Sequence, residues 1–288
     1  MKKIISIVIL FVLISSCRKD VKLKLPAYQE KVVIEASIET GGTATVFLSY
    51  SVPYFGDFDY TSPEKAFIKG ALVTVDDGVT LDTLKELDPS HGYVYVGFKL
   101  IGHVGRTYRI NVRVGDEAYT TSSTILNPVA LDSLYFVEQQ GDSLGFIGQT
   151  FKEPAGSGDC YRWFAKRLGR DQFYAAPFNS AFDDKFVDGK TFDFSYERGR
   201  QPNQLQQSDT DPERGYYKRG DTVVVKFCKI GRREYDFWFT YYQNKLSNSN
   251  PFSAPANVKS MFDNYQKCFG SFVAYSPVFD TIIISKNR

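Results

Sequence analysis

The sequence predicts a mainly β protein, with an N-terminal Ig-like β-sandwich followed by a second β-rich (α+β) domain that carries one amphipathic helix. Three observations support this fold class: short β-rich runs separated by turn residues, one stretch with helical periodicity, and an aromatic content of 16%. The 288 residues include 35 basic and 33 acidic side chains, and 43% are hydrophobic. This composition excludes a disordered chain and a multi-span membrane protein. It also argues against nucleic-acid binding, which needs a basic surplus.

The amino terminus has the pattern of an export signal. The lysines that follow Met1 precede an apolar run, Ile4–Ile14, which is shorter than the roughly 20 residues of a membrane-spanning helix. A positive start, a short apolar run and the small residues Ser15 and Ser16 are typical of a signal peptide. We therefore expect residues 1–16 to be absent from the mature protein.

The residues around Cys17 indicate a lipid anchor. Ile14-Ser15-Ser16-Cys17 resembles the bacterial lipobox, in which an aliphatic and two small residues precede a cysteine. The resemblance implies cleavage before Cys17, a diacylglycerol on its thiol and an acylated amino group, which leaves residues 17–29 as a tether. More than one acyl chain gives a stable anchor. Because Arg18 is not the Asp of an inner-membrane retention signal, we expect the outer membrane, with the periplasmic and surface-exposed leaflets both open.

Residues 30–126 are predicted to form the Ig-like β-sandwich. The β-rich runs are Val32–Glu39, Ala44–Leu48, Ala71–Val75, Tyr93–Leu100, Tyr108–Val114 and Ala118–Ser122. Turn residues such as Gly41-Gly42 and Asp77-Gly78 lie between the runs and let the chain reverse. Asn127-Pro128 follows, and we place a boundary there because proline has no N–H for a sheet ladder.

Residues 129–288 are predicted to form the second domain. Its strand candidates are Leu131–Glu138, Phe146–Phe151, Tyr161–Leu168, Thr222–Lys229 and Thr281–Ser285. A helix is predicted near 232–246, where glycine and proline are missing and aromatic residues recur at steps of three and four. The stripe expected to pack on the sheet consists of Tyr235, Trp238, Phe239, Tyr242 and Leu246. The polar stretch 198–220 is predicted as an exposed loop.

One motif resembles a hydrolase site. Ser143 lies in Gly-Asp-Ser-Leu-Gly, the pattern of a nucleophile elbow, and Asp88 and His91 form an Asp-x-x-His pair. In the hydrolases with the Gly-Asp-Ser-Leu motif this pair comes late in the chain, whereas here it precedes the serine. An elbow also needs a helix after the serine, and Phe146–Phe151 has the pattern of a strand. We expect no catalytic residue and no enzymatic activity. Paired carboxylates of the glycosidase type stay open because their separation depends on the fold.

Metal ligands are sparse in the sequence. His91 and His103 are the only histidines, and neither has a cysteine or histidine partner at ligand spacing. Asp183, Asp184 and Asp188 could offer oxygens to Ca²⁺, but their spacing lacks the pattern of an EF-hand loop. We interpret them as turn and surface acids, and we expect no metal and no cofactor.

The cysteines that remain beside a lipidated Cys17 are Cys160, Cys228 and Cys268. They allow at most one disulfide, so at least one thiol is left over. Their apolar and aromatic neighbours favour buried, unreactive thiols, while the disulfide state stays open.

Two aromatic segments are candidates for binding. The first contains Tyr54, Phe55, Phe58 and Tyr60 beside proline and glycine, and we regard these rings as a possible ligand or partner loop. The second is 172–178. Rings on loops can stack on sugars or anchor a protein partner. The alternative is that the rings fold back and cover their own sandwich.

A series of segments carries a family resemblance over nearly the whole mature chain. The segments are Leu25-Pro26, 31–36, 52–55, 70–78, 104–108, 183–192, 220–225, 235–238 and 250–258. In these segments the chain resembles the Bacteroidota lipoproteins of the family "domain of unknown function 4249". Such lipoproteins are often encoded near TonB-dependent outer-membrane receptors, so the resemblance implies an accessory role in nutrient uptake.

The partners expected from the sequence are therefore the membrane, through the lipid on Cys17, and a TonB-dependent receptor. The oligomeric state stays open. Two alternative functions also stay open: a stand-alone surface glycan-binding or adhesion lipoprotein and, with less support, a glycosidase or esterase.

Overall fold

The computed structural model describes residues 28–52, 63–87, 94–139, 143–201, 212–249 and 257–286. These ranges contain sixteen β-strands, one α-helix and a short 3₁₀ turn at Pro63–Ala66. The prediction of a mainly β fold with one amphipathic helix is confirmed.

The first half of the chain forms eight strands. Their bounds are β1 Val32–Glu39, β2 Thr45–Tyr50, β3 Leu72–Asp76, β4 Leu81–Thr83, β5 Lys85–Glu86, β6 Val94–Val96, β7 Thr107–Val114 and β8 Glu117–Thr124.

The second half contains the other strands and the helix. Their bounds are β9 Ser133–Glu138, β10 Leu144–Lys152, β11 Cys160–Arg167, β12 Ala181–Asp183, β13 Thr191–Tyr196, β14 Tyr217–Lys218, β15 Thr222–Ile230, helix α1 Arg232–Ser249 and β16 Cys268–Ile283.

These strands form three sheets. The largest has eight strands in the order β12-β11-β15-β16-β1-β2-β6-β5. A second sheet has the order β4-β3-β7-β8, and a third has the order β13-β10-β14 with β9 also paired to β10. Each smaller sheet packs on one half of the large sheet, which gives two β-sandwiches side by side.

The first sandwich follows from the alternation of apolar residues along β1. Val32, Ile34, Ala36 and Ile38 point inward and are buried, whereas the residues between them face the other side of the sheet. They pack with buried residues of the opposite sheet: Val73, Val75, Tyr108, Ile110 and Val112. This core is that of the predicted Ig-like sandwich.

The second sandwich has an aromatic core. Phe151 of β10 meets Tyr161 of β11 edge to face, with ring centroids 5.0 Å apart, and Tyr161 stacks on Phe227 of β15 at 5.4 Å. Phe192 and Phe194 of β13 close the core from the smaller sheet. Edge-to-face and offset contacts of this kind stabilise a core beyond the area that they bury.

Strand β16 belongs to both sandwiches. Its first half pairs in parallel with β1, from Val32 opposite Cys268 to Glu39 opposite Tyr275. Its second half pairs antiparallel with β15, from Lys229 opposite Ser276 onward. The proposed boundary at 127–128 stays a prediction, but β16, the last described strand, completes the sheet that contains β1.

Helix α1 packs on the outer face of the large sheet, opposite the aromatic core of the second sandwich. Below it lie Cys160, Cys228, Ile230, Val273 and Tyr275. Its first turn also contacts the first sandwich: the Ser123 hydroxyl of β8 donates to the buried Glu234 carboxylate, and Arg233 donates to the Met261 carbonyl. The helix therefore bridges the two sandwiches.

The buried side of α1 differs from the predicted stripe. Tyr242 and Phe237 are buried, whereas Phe239 and Leu246 are 39% and 48% exposed. Residues 257–263 lie along the helix: Lys259 pairs with Asp236 and donates its N–H to the Thr240 hydroxyl. The helix therefore has a second contact surface besides the sheet, and periodicity alone does not reveal it.

The prediction of an exposed loop over 198–220 is wrong for the described part of that stretch. Tyr217 of β14 is fully buried, and Glu213 is 8% exposed. The Glu213 carboxylate pairs with the guanidinium groups of Arg167, Arg170 and Arg198 and with the ammonium of Lys218. The polar residues pair with one another instead of facing water, and composition does not distinguish the two arrangements.

Replacing Glu213 by Gln tests this ion network. Burial raises the pKa of Glu213, but hydrogen bonds from Lys218, Arg170 and Arg167 outweigh burial and lower it to about 2. The charge therefore stabilises the fold above pH 4.5, and this contribution is lost as the pH falls towards 2. We expect Glu213→Gln to lower the free energy of unfolding by about 3 kcal/mol at pH 7, measured by urea denaturation. The difference in the free energy of unfolding between Glu213→Gln and the unsubstituted protein should shrink as the pH falls from 5 to 2. A difference that does not change with pH would contradict the network.

Gly270 tests the close pairing of β1 with β16. A Cβ at this position would lie 2.9 Å from the Cβ of Ile34 and 3.0 Å from the ring of Phe262. We expect Gly270→Ala to lower the free energy of unfolding by about 1–3 kcal/mol because these contacts overpack the sheet. Gly42→Ala is the matched control. A Cβ at that position would lie 3.6 Å from the nearest atom, the Glu39 carbonyl oxygen, which is an ordinary van der Waals contact. Equal stability of the two variants in urea denaturation would refute the close approach.

Candidate ligand-binding site

A cleft of about 930 Å³ lies between helix α1 and the outer face of the β1–β16 pair. We call it the α1 cleft. Its ring-bearing lining residues are Phe237, Trp238, Tyr241, Tyr265 and Phe269. Its polar lining residues are Gln29, Lys31, Glu35, Asn244, Asn257, Gln266 and Ser271.

The floor of the α1 cleft is set by the pleat of two paired strands. Because Ile34 points into the first sandwich, its neighbours Val33 and Glu35 point outward. The parallel register places Val33 beside Phe269 and Glu35 beside Ser271. The alternation that builds the core therefore also builds the floor of the cleft.

The Trp238 ring, in one wall of the cleft, is held by a buried arginine. The Arg162 guanidinium carbon of β11 lies 3.3 Å from the Trp238 ring centroid and 4.6 Å from that of Phe164. Arg162 is 5% exposed and donates to the Tyr275 hydroxyl at 2.6 Å. Among the described residues, no carboxylate pairs with Arg162, so aromatic faces and a hydroxyl stabilise this charge. Arg162 does not line the cleft, and its stack fixes the orientation of a ring that does.

The predicted binding loop and lipid site lie outside the described residues. This applies to Tyr54, Phe55, Phe58 and Tyr60 and also to Cys17, so all of these stay predictions.

The second aromatic run, 172–178, folds back on its own sheet. Ala175 pairs with Ala165 of β11, and the Phe178 ring meets the Tyr242 ring of α1 at 5.2 Å. Tyr174 lies over the ammonium of Lys166 at 5.0 Å. Phe173 and Phe178 are 43% and 42% exposed, so the alternative considered from the sequence, rings that cover their own sandwich, holds only in part.

The hydrolase motif does not form an elbow. Ser143 is exposed and is followed directly by strand β10, so the helix that an elbow requires does not follow it. Asp88 and His91 lie outside the described residues, and His103 is exposed. Ser143 lies directly before β10, which pairs antiparallel with β9.

The acids near residue 184 form a group that the sequence indicated only in part. Carboxylate oxygens of Glu153, Asp184 and Asp188 lie within 4.8 Å of one another, whereas Asp183 pairs with Arg232. Their acceptor sites are used by the backbone: Asp184 accepts the N–H of Gly158 at 2.7 Å, and Glu153 accepts that of Gly189 at 2.7 Å. These bonds tie neighbouring turns together. The interpretation as a surface acid is wrong for Asp184, which is 2% exposed because its carboxylate accepts backbone N–H groups of a neighbouring turn.

Sequence reasoning missed Glu153 and the α1 cleft. Glu153 is a buried acid that directly follows β10. Its position next to a predicted strand was the only feature of the sequence that could have indicated it. The cleft combines the start of β1, the middle of α1 and residues 257–271, which are far apart in the chain. The outward residues of β1 could have indicated its floor but not its walls.

A family model described as Domain of unknown function (DUF4249) matches residues 18–278. The chain belongs to this family. For this DUF4249 chain no curated protein was found to match. The segment of two fibronectin type III domains from chicken tenascin is similar over 88% of this chain and 99% of that chain, with 11% identity and a TM-score of 0.24.

Within the described ranges of the DUF4249 chain, α1 included, no helix has both the length and the apolar character needed to cross a membrane.

The three described cysteines of the DUF4249 chain are free and buried. Burial raises the pKa of Cys160, Cys228 and Cys268 to about 12 in each case. Thiolates, the reactive form, are therefore scarce at neutral pH.

Thiol titration tests this environment. With an aromatic disulfide reagent at pH 8, we expect the native protein to show no fast reaction at Cys160, Cys228 or Cys268. After denaturation in urea all three should react, and a lipidated Cys17 should add no fourth thiol. Rapid reaction of any of the three in the native protein would contradict the burial.

Proposed function

We propose that this protein is an outer-membrane lipoprotein, anchored through Cys17, that binds a ligand in the α1 cleft as an accessory component of a TonB-dependent receptor in nutrient uptake. The observation that carries the proposal is the cleft itself. Its volume of about 930 Å³ and its lining of aromatic rings and side-chain amides suit a ligand site, for which about 300–1,000 Å³ is typical.

The lining supports binding rather than catalysis. Among the described lining residues, Glu35 is the only carboxylate and Lys31 the only cation. Glycoside hydrolysis uses a pair of carboxylates on opposite sides of the bond, and Glu35 has no second acid facing it within this set. A glycosidase or esterase is therefore the weaker alternative.

The position of the cleft along the chain supports an accessory role at the membrane. Gln29, the last residue of the proposed tether, lines the cleft. Residues 17–29 span at most about 45 Å when fully extended, so the anchor would keep the cleft near the membrane surface. A stand-alone glycan-binding or adhesion lipoprotein would use the same cleft, and Tyr265, 62% exposed in its lining, suits that alternative too.

Co-purification in the native host tests the proposal. We expect tagged protein, solubilised from outer membranes in mild detergent, to label with palmitate and to bring down a TonB-dependent receptor. Cys17→Ser is the matched control, and it should lose the palmitate label, the membrane fractionation and the receptor together. Labelling that persists in Cys17→Ser would refute the anchor. A labelled protein that brings down no receptor would favour the stand-alone alternative.

A further inference from the structure

We propose that the α1 cleft takes a neutral oligosaccharide. This inference rests on the proposed function, because it names the ligand class of the same site. It is drawn from three properties of the cleft: the pairing of its floor, the chemistry of its walls and its charge.

Strand β1, in the floor of the cleft, offers no open edge. Strand β1 is paired on both sides, with β2 and with β16. On the far side of β16, the carbonyl of Gly270 accepts the N–H of Met261 at 2.9 Å. An extended peptide that binds by strand addition needs an open edge with free N–H and C=O groups. Strand addition at β1 is therefore excluded, and recognition at this part of the floor uses side chains.

The side chains of the walls match a sugar. Trp238 and Tyr241 come from α1 and Phe269 comes from β16, so rings stand on both the wall and the floor. Pyranose rings present apolar C–H faces that pack on aromatic rings, while their hydroxyls need hydrogen-bond partners when they lose water. Side-chain amides such as Asn244 and Gln266 line the same cleft and can both donate and accept.

The charge of the cleft fits an uncharged ligand. Lys31 and Glu35 balance each other, and the Lys31 ammonium already lies 4.4 Å from the centroid of the Phe269 ring. The nearby guanidinium of Arg162 is stacked on Trp238 and does not line the cleft. A phosphorylated or polyanionic ligand would find no arginine fork among the described lining residues.

The two tryptophans of the chain make the test selective. Trp163 is fully buried in the core of the second sandwich, whereas Trp238 lines the cleft. Binding in the cleft should therefore change the emission of Trp238 and leave that of Trp163 constant. Trp163 then reports that each variant is folded.

The experiment titrates the full mature protein in a polyoxyethylene detergent, since a maltoside head group would compete. The probes are maltotriose, cellotriose, xylotriose and mannotriose, with trialanine as the peptide control. We expect at least one trisaccharide to change the emission with saturation and trialanine to have no effect. Trp238→Phe should remove the signal, with binding retained by calorimetry.

Trp238→Ala and Tyr241→Ala should each weaken trisaccharide binding at least tenfold in calorimetry. Phe186→Ala is the matched control, because this ring is 78% exposed and lies outside the cleft. The Phe186→Ala variant should bind the trisaccharide as tightly as the unsubstituted protein. If trialanine binds through Trp238 and no sugar does, the oligosaccharide inference is overturned while the cleft remains a binding site. If no probe binds, the ligand class is overturned, and receptor co-purification still tests the accessory role separately. If a sugar binds to Trp238→Ala and Tyr241→Ala as tightly as to the unsubstituted protein, the sugar does not bind in the α1 cleft and the site assignment is wrong.

Discussion

The pairing of β16 with two different strands is the interaction on which the rest of the structure depends. The first half of the strand completes the sheet that begins with β1, and the second half continues the sheet of β15. Because the strand changes partner near Tyr275, the first half needs other groups on its open side. The Met261 N–H and the Ser123 hydroxyl, which accepts the Ala274 N–H at 3.0 Å, supply them. These two bonds give backbone groups of Gly270 and Ala274 partners without a further strand.

Helix α1 lies over this junction, and the α1 cleft follows from its placement. Glu234 bonds to Ser123 at one end of the junction, and Trp238 stacks on Arg162 of the neighbouring strand. Glu234 in the first turn of α1 is 5% exposed, and this burial raises its pKa. Isolated buried charges are costly, so contacts of this kind hold the helix in one position. A fixed helix above a continuous sheet leaves a cleft with a defined shape.

The sequence allowed the local structure to be predicted more fully than the site. The β-rich run Val32–Glu39 identified strand β1, and the aromatic spacing after Arg232 identified the helix. The exposure of Phe239 and the burial of Glu213 were not predictable, since both depend on segments distant in the chain. The same holds for the cleft, because its floor needs the parallel register of β1 with β16, and a pairing between the two ends of a chain leaves no periodic pattern.

Amide hydrogen exchange along β16 can test whether one strand joins the two sandwiches. If one strand joins the two sandwiches, the paired amides of 268–275 and 276–283 should exchange with the same opening free energy, equal to that of global unfolding. Mass spectrometry of overlapping peptides from the full mature protein can resolve the two halves. An opening free energy for one half far below that of the other would show that the sandwiches open independently, and would contradict the account.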